Sequence, residues 1–196
     1  MNTADSSKRG GKATTLVSMI RGINVAGHKP IKMAELVKLY QDLGFENPRS
    51  YLQSGNVVFE TRGARGRDLA GAIERGVLRA FEMEVSVALK TAAQMSAAFA
   101  GNPLASRPGV DPKFLYATFL IRPDPGASLD AVTLPLGKGE AAVHFGDVVY
   151  LYCPNGFGDT RINNTFFERK LRVRATTRNW NTVTALERMA RGAPLA

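Results

Sequence analysis

The sequence predicts an α+β protein. A ferredoxin-like βαββαβ unit occupies residues 14–90, and a smaller C-terminal α+β unit occupies 91–196, with the boundary between 90 and 105. Three observations predict this. Short apolar runs alternate with segments of helical periodicity in the order strand, helix, strand, strand, helix, strand. A second hairpin signal lies over 141–152. Two helical patterns come late, beyond residue 160.

The elements follow in order. Residues 1–13 are polar, small and Gly-rich, which predicts a disordered tail. Thr15 to Ile20 is a short apolar run, read as a buried strand. Met33, Leu36, Val37, Tyr40 and Leu43 then repeat at helical spacing, and Gly44 is placed to stop the helix in the left-handed conformation. Strands follow near 49–52 and 57–61, with Ser54-Gly55-Asn56 as the turn between them. Leu69, Ile73, Val77 and Phe81 keep the i, i+4 spacing of a second amphipathic helix. Val85, Val87 and Leu89 alternate as a fourth strand. No sequence repeat and no heptad pattern is present.

The second unit opens with Thr91-Ala92-Ala93-Gln94, a capping box that starts a helix running to about Ala100. Asn102-Pro103 ends it. Residues 114–121 form a long apolar strand, and 141–145 and 148–152 form a hairpin around Gly146-Asp147. Helices are expected from about Arg161 to Leu171 and from about Asn179 to Arg191.

The chain has 196 residues, 44% of them hydrophobic, enough for a core. A single cysteine excludes an intramolecular disulfide framework and fits a reducing compartment. The N-terminus lacks the apolar run of a secretory signal, and no stretch approaches the ~20 apolar residues of a membrane span. A cytoplasmic protein without a membrane partner is therefore expected. The net charge of +9 is uneven: the seven arginines and Lys170 between Arg161 and Arg191, set against Glu168 and Glu187, account for +6 of it. Such a concentration attracts phosphates and polyanions, or serves only as a solvated face.

The densest polar segment is Ala175 to Thr182, with Arg178, Asn179, Asn181 and the only tryptophan, Trp180, at the start of the last helix. A helix N-terminus beside a guanidinium suits a phosphate or carboxylate. On that reading Arg178 faces a ligand, with Asn179, Asn181 and Lys170 completing the site, and truncating Arg178 leaves the melting temperature nearly unchanged. On the plainer reading Asn179 caps the helix and Trp180 fills the core. In the preceding helix Asn164 and Glu168 share a face. Glu168 is either a general base or the ion-pair partner of a nearby arginine. Arg21, Asn24, Gln53 and Asn56 offer a further polar rim, although turn chemistry alone explains Gly55 and accounts for Asn56.

Cys153 has no histidine near it in sequence and reads as a small buried hydrophobe. His28 and His144 are isolated, so no metal site is expected. No phosphate-binding glycine loop, nucleophile elbow or dinucleotide fingerprint is present, and no cofactor is indicated.

Several motifs stand in a fixed order: Arg21-Gly22-Ile23-Asn24-Val25, Ile31-Lys32-Met33, Gln53 through Phe59, Tyr150-Leu151-Tyr152, Pro154-Asn155-Gly156, and Ala175 through Val183. Through them the chain resembles the bacterial family called domain of unknown function 1697, from about Thr14 to Met189. The resemblance implies the two-unit fold and carries no established activity. The family pattern also has Asn, Glu and Lys where this chain has Asn164, Glu168 and Lys170. Ala26, Arg172 and Arg174 depart from the family's usual Gly, Gly and Pro, and the two arginines raise the local positive charge.

Three function classes remain. Anion binding, to nucleic acid or a nucleotide, is favoured by the charge and by the likeness of a ferredoxin-like unit to RNA-recognition modules. Against it, Val57-Val58-Phe59 lacks the paired stacking aromatics of such modules. The alternatives are an enzyme acting on a phosphorylated or carboxylated small molecule in a cleft between the units, and a protein-interaction module.

Overall fold

The computed structural model describes residues 13–24, 30–63, 68–124, 126, 128–130 and 132–194. The expected tail, apart from Ala13, and His28 lie outside them.

The first half contains β1 (Thr14–Arg21), α1 (Met33–Asp42), β2 (Glu46–Tyr51), β3 (Asn56–Thr61), α2 (Leu69–Phe81) and β4 (Ser86–Thr91). The sheet order is β2-β3-β1-β4 with every pair antiparallel, the ferredoxin-like arrangement. Period-two alternation gives this sheet two apolar faces. Leu16 and Ile20 of β1 pack with Leu36, Tyr40, Ile73 and Val77 of the two helices. Ser18 shares that face, and its hydroxyl is satisfied by the Tyr40 hydroxyl at 2.7 Å and the Val57 carbonyl at 3.1 Å. Val17, Met19, Val58 and Ala88 point the other way.

No linker separates the halves. β4 ends at Thr91, which is itself the N-cap of α3 (Ala92–Ala100). The capping box is complete: Gln94 N donates to Thr91 Oγ1 at 3.2 Å, and Thr91 N donates to Gln94 Oε1 at 2.9 Å. The rest comprises β5 (Leu115–Ile121), β6 (Ala141–Phe145), β7 (Val148–Tyr152), α4 (Asn164–Leu171), β8 (Arg174–Asn179) and α5 (Trp180–Ala190). Their sheet order is β6-β7-β5-β8, also antiparallel. Taken in chain order within each half, the two sheets therefore have the same strand order. The repetition is one of topology, with no counterpart in the sequence.

Strand β8 is a difference from the sequence reading, which carried the chain from one helix directly to the next. Arg172 takes the left-handed conformation at the C-cap of α4, and the chain then pairs with β5 from Arg174 to Asn179. The opening of α4 also shifts, from Arg161 to Asn164 with Asn163 as N-cap.

The outer face of the C-terminal sheet is covered by α4: Leu120, Val149, Leu151 and Cys153 meet Ile162, Phe166 and Phe167. Its inner face, with Ala117, Phe119 and Tyr150, joins Met95 of α3, Trp180, Val183 and Leu186 of α5, and the Val17–Met19 face of the first sheet in one core. Trp180 stacks on Phe99 with centroids 5.5 Å apart and meets Tyr150 edge-on at 6.3 Å. Among the described residues no helix is long and apolar enough to cross a membrane.

Candidate functional site

A cleft of about 460 Å³ opens where the C-terminal end of β1 meets β8. Ile20, Arg21, Gly22 and Ile23 form one wall together with Ser54 of the β2–β3 turn. The opposite wall is Thr176, Thr177 and Arg178 of β8, the first turn of α4 from Asn163 to Thr165, and Phe157. The cleft thus lies between the two sheets and takes residues from both halves.

Arg178 forms the floor. It is 8% exposed, and all five of its N–H groups are engaged. Nε donates to Asn56 Oδ1 at 2.6 Å. Nη1 donates to Thr176 Oγ1 at 2.7 Å and the Thr177 carbonyl at 2.9 Å. Nη2 donates to the Ile20 carbonyl at 2.9 Å and the Ser54 carbonyl at 3.0 Å. The acceptors are neutral, and among the described residues no carboxylate pairs with this cation. Burial pushes its pKa down to about 10, so it remains charged at neutral pH. This corrects the expectation that the guanidinium offers a bidentate fork to a ligand. Its donors are spent inside the fold, and what it contributes to the cleft is charge.

The turn that supplies two of those acceptors depends on Gly55. Its φ of +72° suits glycine, and a Cβ there would lie 2.6 Å from Ile23 Cδ1. The same glycine carbonyl accepts from Ile20 N at 2.9 Å.

Arg21, at the end of β1, reaches Glu168 of α4 with both arms of its fork, Nε to Oε1 at 2.6 Å and Nη2 to Oε2 at 2.8 Å. Glu168 also accepts from Ala175 N at 2.9 Å. It is therefore the ion-pair partner of an arginine, with both oxygens engaged, and it is not poised as a base. Its partner is Arg21, not Arg178. At the far wall, Thr177 Oγ1 donates to Asn164 Oδ1 at 2.7 Å, so Thr118 Oγ1, also 2.7 Å away, donates to Thr177. Asn164 keeps its amide NH₂ without a partner among the described residues. The N-cap Asn163 accepts from Phe166 N at 3.1 Å.

Of the residues singled out from the sequence, Arg21, Asn164 and Arg178 line the cleft, and Glu168 braces it through Arg21. Asn56 stands behind Arg178, donating to the Tyr51 carbonyl at 3.1 Å and to Ser54 Oγ at 2.9 Å. Asn24 clamps Ile31 in both directions and donates to the Gln53 carbonyl at 2.7 Å, while the Gln53 side chain is exposed. Asn179 caps α5, accepting from Asn181 N at 3.0 Å and donating to the Lys113 carbonyl at 2.8 Å. Asn181 and Lys170 are exposed and away from the cleft, so no site is assembled from the two last helices. Nor does the basic segment form one surface. Arg178 is buried, Arg191 pairs with Glu187 at 2.7 Å, and α4 and α5 lie on opposite faces of the C-terminal sheet.

A family described as "Protein of unknown function (DUF1697)" matches residues 13–150. The chain belongs to that family. The match stops before α4 and β8, which supply one wall of the cleft. Among solved structures, the conserved bacterial protein SP0830 from Streptococcus pneumoniae is similar with a TM-score of 0.72 and 21% identity, over 91% of this chain and 99% of that one. At that identity the likeness shows the fold alone. No curated protein matches the chain.

Phe157 and Thr165 were not singled out from the sequence. An aromatic residue between two glycines, Gly156 and Gly158, in an otherwise polar loop is the signal that could have found Phe157. A second depression, of about 440 Å³ between Ile31 and Met83, carries Glu35, Arg79 and Glu82 and gathers none of the predicted residues.

Proposed function

We propose that the protein binds a small anionic molecule, phosphorylated or carboxylated, in the cleft between its two sheets. The observation that carries this reading is the buried, carboxylate-free Arg178 in the cleft floor. A guanidinium taken out of water costs several kcal/mol that neutral acceptors offset only in part. A negative charge beside it recovers the remainder. Arg21 keeps one guanidinium nitrogen, Nη1, outside its pair with Glu168, and the N–H groups of Asn164 and Thr165, ahead of the capped Phe166 N, have no intrahelical partners. These donors can contact an anion that Arg178 attracts.

The nucleic-acid form of the anion-binding reading is less well supported. The sheet face that an RNA-recognition module keeps open is filled here by α3, α5 and the C-terminal sheet. The enzyme reading lacks an unengaged carboxylate or a nucleophile–base pair at the cleft among the described residues.

Thermal melts of the full chain in phosphate, citrate and chloride at matched ionic strength test the proposal. Phosphate or citrate should raise the melting temperature in a saturable manner, as ligand binding to the native state requires, and Arg21→Ala should abolish the rise. Equal melts in all three salts would overturn it. Binding of oligonucleotides at low salt, with a log–log salt slope of about −0.7 per phosphate contact on single strands, would favour the polymer reading instead.

A further inference from the structure

The cleft is not lined by polar groups alone: Phe157 stands in the same lining as Arg21 and Arg178. Phe157 is half-buried, and Tyr116 lies against it with centroids 5.1 Å apart at 35°, so one ring backs the other. An inorganic anion has no use for such a wall. A ligand carrying both a phosphate and a flat aromatic ring matches the arginines and the aromatic residue together. The volume falls within the ~300–1,000 Å³ range of small-molecule sites and has room for one nucleotide rather than a strand.

Building on the anion-binding reading, the geometry points to a nucleoside monophosphate as the ligand class, with its phosphate toward Arg21 and Arg178 and its base against Phe157. Stacking on an aromatic face tolerates any base, since each has a π-face. In the same lining, the amide NH₂ of Asn164, unpartnered among the described residues, is a donor for ligand oxygens.

Calorimetric titration of the full chain with AMP, UMP, ribose 5-phosphate and inorganic phosphate tests this. AMP and UMP should bind about 10-fold or more tighter than ribose 5-phosphate, the gain expected of one stacked base. Phe157→Leu, which keeps apolar bulk without the ring, should remove that margin. If the nucleotides bind no tighter than ribose 5-phosphate, the base has no site and this inference fails while the anion site stands. If neither phosphate compound binds, both fail. If a short single-stranded oligonucleotide outcompetes the mononucleotides, the ligand is a polymer and the assignment is overturned. The ligand comparison on the unmodified protein decides the matter even if Phe157→Leu does not fold.

Discussion

Arg178 Nε lies 2.6 Å from Asn56 Oδ1, although 122 residues separate the two in the chain. The contact ties the edge strand of the C-terminal sheet to the first residue of β3, and the remaining guanidinium donors extend the tie to Ile20 and Ser54. Arg178→Ala leaves those acceptors without partners. At about 1–3 kcal/mol for each buried polar group left unsatisfied, the loss should reach about 3 kcal/mol or more. Urea unfolding monitored by circular dichroism measures it, and a near-neutral result would show that the guanidinium is not a structural tie.

The Glu168 carboxylate offsets the charge of Arg21, a cleft residue, and should oppose anion binding. Glu168→Gln keeps an acceptor for Ala175 N but removes the negative charge and releases Arg21. A cost of about 1–2 kcal/mol in stability is expected. Phosphate affinity should rise about five- to tenfold, corresponding to about 1 kcal/mol of removed repulsion. Phosphate-dependent melting curves of the variant and the parent measure both effects.

The Lys90–Asp147 pair is asymmetric. Lys90 is 5% exposed and Asp147 45% exposed. Asp147→Ala strands a buried ammonium, whereas Lys90→Met replaces it with an apolar chain of similar length. The first substitution should therefore cost more than the second, by about 2 kcal/mol. Equal losses in denaturant titrations would show that the pair acts through packing alone.

Cys153 is buried, and burial pushes its thiol up to about 11, with the nearby charge of Glu140 adding to the effect. A thiol reagent at pH 8 should label it only when the chain opens. Labelling should run at least about 100-fold slower in buffer than in denaturant, since both burial and the missing thiolate act against it.

Tyr150 is pushed up to about 12, chiefly by burial and then by the nearby carboxylate of Asp147, and Tyr40 is raised by burial as well. Below about pH 10 both rings are neutral in the folded and unfolded chain alike. Above it the unfolded chain ionises while the native protein keeps its protons. Stability should therefore fall between about pH 10 and 12, by about 1.4 kcal/mol per pH unit for each tyrosine. Tyr150→Phe loses the hydrogen bond to the Ala98 carbonyl at neutral pH but should flatten the alkaline slope, as stability measured at pH 9, 10 and 11 would reveal.

The first sheet, the Thr91–Gln94 capping box and the hairpin at Gly146-Asp147 were legible because each carries a local signature: an apolar run, a tight turn and one alternating strand for the sheet, a reciprocal cap, and a turn residue that tolerates positive φ. Strand β8 carries none. Its inner face holds Thr176 and Arg178 and its outer face Ala175 and Thr177, so no apolar alternation marks it. Arg178 bonds to the first half, while Thr176 and Thr177 satisfy Arg178, Thr118 and Asn164, and such contacts have no period along the chain. For the same reason sequence reasoning found Arg178 but misread its surroundings. Whether a cation at a strand end is solvated, paired or enclosed by carbonyls depends on residues near 20, 54 and 56, which only the completed fold brings to it.

The core that joins the halves has a consequence for how the protein is made. The Val17–Met19 face of the first sheet is covered in part by α5, which contacts β1, β2 and β3. Synthesis delivers β4 first and α5 about a hundred residues later, an interval of about 5–20 s at ~5–20 residues per second. During that interval the nascent chain presents an apolar sheet surface with its closing helix still unmade, and a trigger for early misassociation on the ribosome lies there.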